Sequence, residues 1–135
     1  MKYRILIVCA NYYSDISNNL LKDAKTTLKS KAKYQVINVP GVFEIPVIIA
    51  KNIKKYHGFI ALGCVIKGET PHFDFISNTT INAIMNLSIV HKKPIGNGIL
   101  TCLYKRQAKA RSGSFNKVGK GTEAAKAVLS VLNNF

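Results

Sequence analysis

The chain has 135 residues, 47% of them hydrophobic, with only four prolines, which is enough apolar sequence for a packed core and excludes a disordered tail. Twenty Lys and Arg against six Asp and Glu give a formal charge of +14, so charge alone leaves an acidic partner such as nucleic acid open and makes each acid worth locating. No apolar run approaches the ~18 residues of a membrane span, which excludes a transmembrane helix.

Residues 4–9 form a short apolar, β-branched run that reads as a buried strand. Met1-Lys2-Tyr3-Arg4 before it resembles the start of a signal peptide. The run is too short for an h-region, however, and Asn11 follows without a cleavage site. Asn11-Tyr12-Tyr13-Ser14-Asp15 is a loop in which Ser14 or Asp15 can cap a helix. From Ile16 the spacing Leu20, Ala24, Leu28 predicts one apolar face of a helix ending near residue 33. Residues 34–39 alternate as a second strand, stopped by Pro40-Gly41.

Glu44-Ile45-Pro46 opens a second helix with Ile45, Ile49 and Ile53 inward, closed by Tyr56-His57-Gly58. Residues 59–66 are nearly all apolar, as expected of a strand covered on both faces. After a glycine-bearing loop, residues 72–90 predict a long helix with Phe73, Ile76, Ala83, Ile84 and Leu87 inward. A fourth strand over 95–103 carries Gly96 and Gly98, which implies close approach by another backbone or a ligand. A short helix over 105–111, a polar loop and a last helix over 122–132 complete the chain. Alternation of this kind predicts a single α/β domain over 1–135, a four-stranded parallel sheet with helices on both faces. Ligands in such sheets bind beyond the carboxyl ends of the strands, which here are the Asn11–Tyr13 loop, the Pro40–Glu44 turn, the Lys67–His72 loop and the segment after Thr101.

The lysines are spread in small groups (Lys51, Lys54 and Lys55; Lys92 and Lys93; Lys105, Arg106, Lys109 and Arg111), which argues against a continuous nucleic-acid stripe. Cys9, Cys64 and Cys102 are an odd, widely separated set without metal spacing, and fit reduced buried thiols of a cytoplasmic protein.

Gly68-Glu69-Thr70 ahead of a helix offers free backbone N–H groups to an anion; equally, Thr70 can be an ordinary N-cap before Pro71. His72, in the first helical turn, can take and give a proton near neutral pH, or be a plain surface residue. Glu44 either stabilises its own helix start or accepts hydrogen bonds from ligand hydroxyls. Tyr12, Tyr13 and Phe43 stand at strand ends, where they can stack on a planar ring or pack locally. Arg111 and Lys120 are not distinguished by composition.

Five segments taken together resemble the lumazine synthase family. They are Val39-Pro40-Gly41-Val42-Phe43-Glu44-Ile45-Pro46, the stretch Leu62-Gly63-Cys64-Val65-Ile66-Lys67-Gly68-Glu69-Thr70-Pro71-His72-Phe73-Asp74, then Asn97-Gly98-Ile99-Leu100-Thr101, Gln107-Ala108 with Arg111, and Lys120-Gly121 before Glu123-Ala124-Ala125. The resemblance implies a three-layer αβα sandwich of flavodoxin type and the penultimate step of riboflavin synthesis. In that step 5-amino-6-(D-ribitylamino)uracil condenses with 3,4-dihydroxy-2-butanone 4-phosphate to give 6,7-dimethyl-8-ribityllumazine, phosphate and water, without cofactor or metal.

By resemblance, Tyr12 stacks on the pyrimidine, Val42, Phe43 and Glu44 hold the ring and ribityl chain, and Cys64, Val65 and Ile66 line the pocket. Glu69 and Thr70 bind the butanone phosphate with Arg111 as cationic partner, His72 moves protons, and Lys120 lies near the pyrimidine. The family implies a homopentamer with sites between subunits, twelve pentamers forming an icosahedral shell in some members. Asn97, Arg111 and Lys120 then come from the neighbour. Asn97 departs from the phenylalanine common in the family, and the stretch from Arg111 to Lys120 is one residue longer than the resemblance leads one to expect. A non-catalytic ligand carrier on the same fold and a nucleic-acid-binding domain are the rival readings.

Overall fold

The computed structural model describes residues 1–68, 72–113 and 118–135. The order is β1 (Arg4–Ala10), α1 (Ser14–Leu28), β2 (Lys33–Val39), a 3-10 turn (Val42–Glu44), α2 (Ile45–Asn52), β3 (Gly58–Ile66), α3 (His72–His91), β4 (Ile95–Cys102), α4 (Lys105–Arg111) and α5 (Lys120–Asn134). All strand pairs are parallel, and the sheet runs β2-β1-β3-β4, so the two central strands are β1 and β3. Those are the two most continuously apolar segments, because only a strand with helices over both faces has no solvent side to fill with polar residues.

Alternate residues of the sheet feed two separate cores. On one face Ile5, Ile7 and Cys9 meet Ile16, Leu20, Ala24 and Leu28 of α1, together with Ala124, Ala125 and Val128 of α5. On the other face Leu6, Val8 and Phe59 meet Ile45 and Ile49 of α2 and Ile84 of α3. The three-layer arrangement expected from the alternation is therefore present, and the inward stripes expected for α1 and α2 are fully buried or nearly so.

Several expected boundaries move. Helix α1 stops at Leu28 rather than near residue 33, because Ser30 takes a left-handed φ of 68° and turns the chain into β2. Helix α5 starts at Lys120, two residues before the expected Thr122, because Gly121 sits inside the helix where the Leu20 backbone of α1 crosses it. In α3 the fully buried line is Ser77, Thr80 and Ile84, with Phe73, Ile76, Ala83 and Leu87 only half-buried. That helix is apolar on several sides, so periodicity alone could not choose the inward one. Ile81 is half-buried too, and Phe75, Met85, Ile89 and Val90 are exposed. Among the described residues no helix is long and apolar enough to cross a membrane.

The glycines of β4 are explained by a backbone. A Cβ on Gly96 would strike the Ala124 carbonyl oxygen and stand 2.9 Å from Val128, so α5 lies directly on the strand. Gly98 makes the same kind of room for Leu62 and the Ala61 carbonyl.

Candidate active site

The carboxyl ends of β1 and β3, the 3-10 turn after β2 and the start of α3 enclose a cavity of about 260 Å³. Its wall contains Tyr12, Tyr13, Gly41, Val42, Phe43, Cys64, Val65, Ile66, His72 and Ile76. The parallel sheet explains this convergence, since β1 and β3 are adjacent and end at the same edge. Asn11 N–H donates to the Val39 carbonyl at 3.1 Å, which holds the Tyr12 loop beside the turn that carries Phe43.

The wall divides into an apolar floor and a few polar groups. Val42 and Cys64 are buried, whereas Tyr12 is 77% exposed and Phe43 58%, so two aromatic faces stand open at the rim. The Tyr12 and Tyr13 rings meet edge to face at 5.0 Å and 78°, which braces Tyr12 from below. Glu44 is not part of the wall. Its Oε1 accepts the Gly41 N–H at 3.0 Å, so it shapes the turn whose Gly41 and Phe43 do line the cavity.

Protonation separates these groups. Burial chiefly, with Cys102 and Asp15 adding to it, pushes the Cys64 thiol up to about 12. Burial again, then Tyr12 and Cys64, pushes the Tyr13 phenol above its ordinary value. Both stay protonated at neutral pH, so neither can serve as a base there. His72, exposed at the first residue of α3, is the lining side chain of a type that exchanges protons near neutral pH.

Cys9 on the core side is likewise pushed up to about 11, by burial against the opposing pull of Lys25. Cys9, Cys64 and Cys102 are all free and buried. At pH 8 the native protein is therefore expected to release Cys9 and Cys64 to a thiol reagent at least about 100-fold more slowly than the urea-unfolded chain. Comparable rates in both states would contradict it. The sign for stability follows: the two thiols favour the fold below their unfolded value of 9, and that contribution is lost as pH rises toward about 11 and 12.

The remaining expected site residues lie elsewhere. Asn97, Arg111 and Lys120 line a second cavity of about 440 Å³, with Ile81, Ile99, Leu100, Thr101, Val118 and Glu123. Among the described residues the two cavities have no lining residue in common. The second flanks β4, one of the two edge strands of the sheet. Asn97 Oδ1 accepts the Ile99 N–H at 3.0 Å, Lys120 Nζ is 3.8 Å from Glu123, and an Arg111 Nη is 3.8 Å from the Cys102 sulfur. Arg111 is exposed and carries no ion pair among the described residues, so its guanidinium is available to an anion. Glu69 and Thr70 lie outside the described residues. A larger cavity of about 560 Å³ at the other end of the strands, around Arg4, Lys33 and Tyr56, holds none of the expected residues that are described.

Sequence reasoning offered Tyr13 as a strand-end aromatic able to stack without giving it a role, and left Gly41 and Ile76 without a place in the wall. Tyr13 and Gly41 sit beside assigned residues, so loop adjacency was a usable signal. Ile76 was assigned only to the core, and one turn of helix beyond His72 brings it to the cavity.

A sequence profile of the 6,7-dimethyl-8-ribityllumazine synthase family matches residues 2–135. Three relatives carrying that name illustrate the similarity. The protein of Bartonella henselae is 46% identical over 136 residues, covering 97% of this chain and 87% of its own. That of Agrobacterium fabrum is 45% identical over 139 residues, covering 97% and 93%. That of Bartonella tribocorum is 43% identical over 140 residues, covering 99% and 93%.

Proposed function

The chain belongs to the 6,7-dimethyl-8-ribityllumazine synthase family, and we propose that it performs that synthesis at a site completed by a second copy of itself. It is a transferase of riboflavin biosynthesis. The amine of 5-amino-6-(D-ribitylamino)uracil adds to the ketone of 3,4-dihydroxy-2-butanone 4-phosphate and water leaves to give an imine. Phosphate is then eliminated, and attack by the ribityl-bearing nitrogen closes the ring with loss of a second water. Each step needs positioning and proton movement.

The observation that carries the shared site is the division of the expected residues. Among the described residues, the aromatic and apolar cavity contains His72 but no lysine or arginine, and the cavity with Arg111 and Lys120 contains no aromatic ring. A substrate pair made of a planar ring and a phosphate ester needs both. One copy brings Tyr12, Val42, Phe43, Cys64, Val65, Ile66 and His72, with Glu44 holding the turn and reaching the ribityl hydroxyls. The neighbour brings Asn97, Arg111 and Lys120, and Glu69 and Thr70 are assigned to the phosphate. The exposed row Phe75, Met85, Ile89 and Val90, too apolar to remain in water, supports close association of copies, for which a ring of five is the arrangement proposed. Work in the cytoplasm, where buried thiols stay reduced, and attraction of the phosphorylated substrate by the +14 charge complete the reading.

Mixing the purified protein with both substrates and following lumazine fluorescence tests the reaction. In the same assay Arg111→Ala is expected to raise KM for the butanone phosphate about 30-fold, the worth of a charge-assisted pair of hydrogen bonds near 2 kcal/mol. An unchanged KM would remove Arg111 from the phosphate site.

A further inference from the structure

One face of α1 is tied to both ends of the stretch between Arg111 and Lys120. Asn19 Nδ2 donates to Ser112 Oγ at 3.5 Å, and Ser112, fully buried, donates in turn to the Lys109 carbonyl at 2.9 Å. One helical turn further on, Asp23 Oδ2 lies against both Gly113 and Gly119. Any side chain on Gly113 would strike that oxygen, and a Cβ on Gly119 would stand 2.8 Å from it and 2.6 Å from the Gly113 Cα. Gly113 has a φ of +90°, in the region open to glycine, so the sharp turn and the carboxylate contact both require it. Residues 113 and 119 thus touch each other and α1 at one point, forming a neck.

Asp23 is one of only six acids in the chain. It is half-buried rather than solvated, and burial raises its carboxyl above the ordinary value against a smaller opposing effect of Lys22. It faces Gly119, the residue that caps α5, so its charge complements the positive end of that helix, where Lys120 is the first residue. Arg111 is the last residue of α4, immediately before Ser112 and Gly113. The neck therefore sets where both cations of the second cavity emerge.

We infer that Asp23, assisted by Asn19, is a positioning residue for Arg111 and Lys120 that acts by clamping the neck at Gly113 and Gly119. It touches no substrate. The role rests on the reading of those two cations as substrate ligands, and it concerns the very stretch that is one residue longer than expected. A longer connection between two functional cations needs a fixed base if their spacing is to be held.

Steady-state kinetics and amide hydrogen exchange on the assembled protein test the clamp. Asp23→Ala is expected to raise KM for the butanone phosphate about tenfold while kcat changes less than about twofold, the result of cations displaced by a fraction of an ångström. The Glu123 amide, which donates to the Gly119 carbonyl at 3.2 Å, and the Ser112 amide, which donates to the Ala108 carbonyl at 2.9 Å, are expected to exchange at least about tenfold faster in that variant. Asp23→Asn, which keeps the shape in the glycine notch, is expected to restore KM to within about threefold of the parent. Unchanged exchange in Asp23→Ala overturns the clamp, whatever the kinetics. Faster exchange with an unchanged KM, in a protein whose Arg111→Ala variant shows the raised KM, overturns the positioning role. If Arg111→Ala itself leaves KM unmoved, the assignment of the phosphate site has failed instead, and the exchange rates alone decide for or against the clamp.

Discussion

Gly96→Val is expected to yield almost no folded protein, with unfolding shifted by at least about 3 kcal/mol in urea titration. The reason is the identity of the obstructing atoms. A Cβ at position 96 meets the carbonyl oxygen of Ala124, in the middle of α5, and the Val128 side chain at 2.9 Å. A flexible side chain could swing aside, but a helix carbonyl moves only with its helix. Displacing α5 would open the core that Ala124, Ala125 and Val128 share with α1 and the sheet. For a chain whose total stability is of the order of 5–15 kcal/mol, that loss is close to decisive. Because α5 also begins at Lys120, any surviving variant should bind the pyrimidine substrate poorly. A fold as stable as the parent's would show that β4 and α5 are not packed as described.

His72→Ala is expected to lower kcat about 10²-fold with little change in either KM, the low end of the range for a positioned acid–base group. The low end is chosen because His72 is exposed, so water can carry part of the proton traffic. Two other described lining residues do not compete for the role, since Tyr13 and Cys64 are both held protonated by burial, Cys64 up to about 12. Partial recovery by added imidazole would be the signature of a missing proton carrier rather than of a damaged fold. A kcat within about twofold of the parent would remove His72 from the chemistry.

The elements and their order were legible because the pattern is nearly free of conflict. The stripe Ile16, Leu20, Ala24, Leu28 and the stripe Ile45, Ile49, Ile53 each face one way, and the unbroken apolar run before Lys67 has only one comfortable place in a sheet. Helix α3 was less legible. Its buried line contains Ser77 and Thr80, which no hydrophobic template selects, while Phe75 and Ile89 stay exposed. A helix with large apolar side chains on both its buried and its exposed sides gives periodicity no single face to select. The loop residues Tyr12, Phe43 and His72 could be placed at one edge by topology alone. What topology could not supply was the separation of Asn97, Arg111 and Lys120 into another cavity. That division depends on which side of β4 each chain segment passes. Nor could spacing reveal Asp23, whose significance lies in two glycines some ninety residues away.

The shared site can be tested most directly by complementation. In the proposed site, His72→Ala removes the proton carrier of one cavity and Arg111→Ala removes one of the two cations of the other. Co-expressed with different tags and purified as mixed assemblies, the two variants would place an intact Tyr12–His72 cavity beside an intact Arg111 cavity in about a quarter of random pairings. Lumazine formation, measured with the butanone phosphate well below the KM of Arg111→Ala, is then predicted to reach about a quarter of the parent rate, far above the sum of the separate variants. Mixed assemblies no more active than that sum would mean that each chain completes its own site.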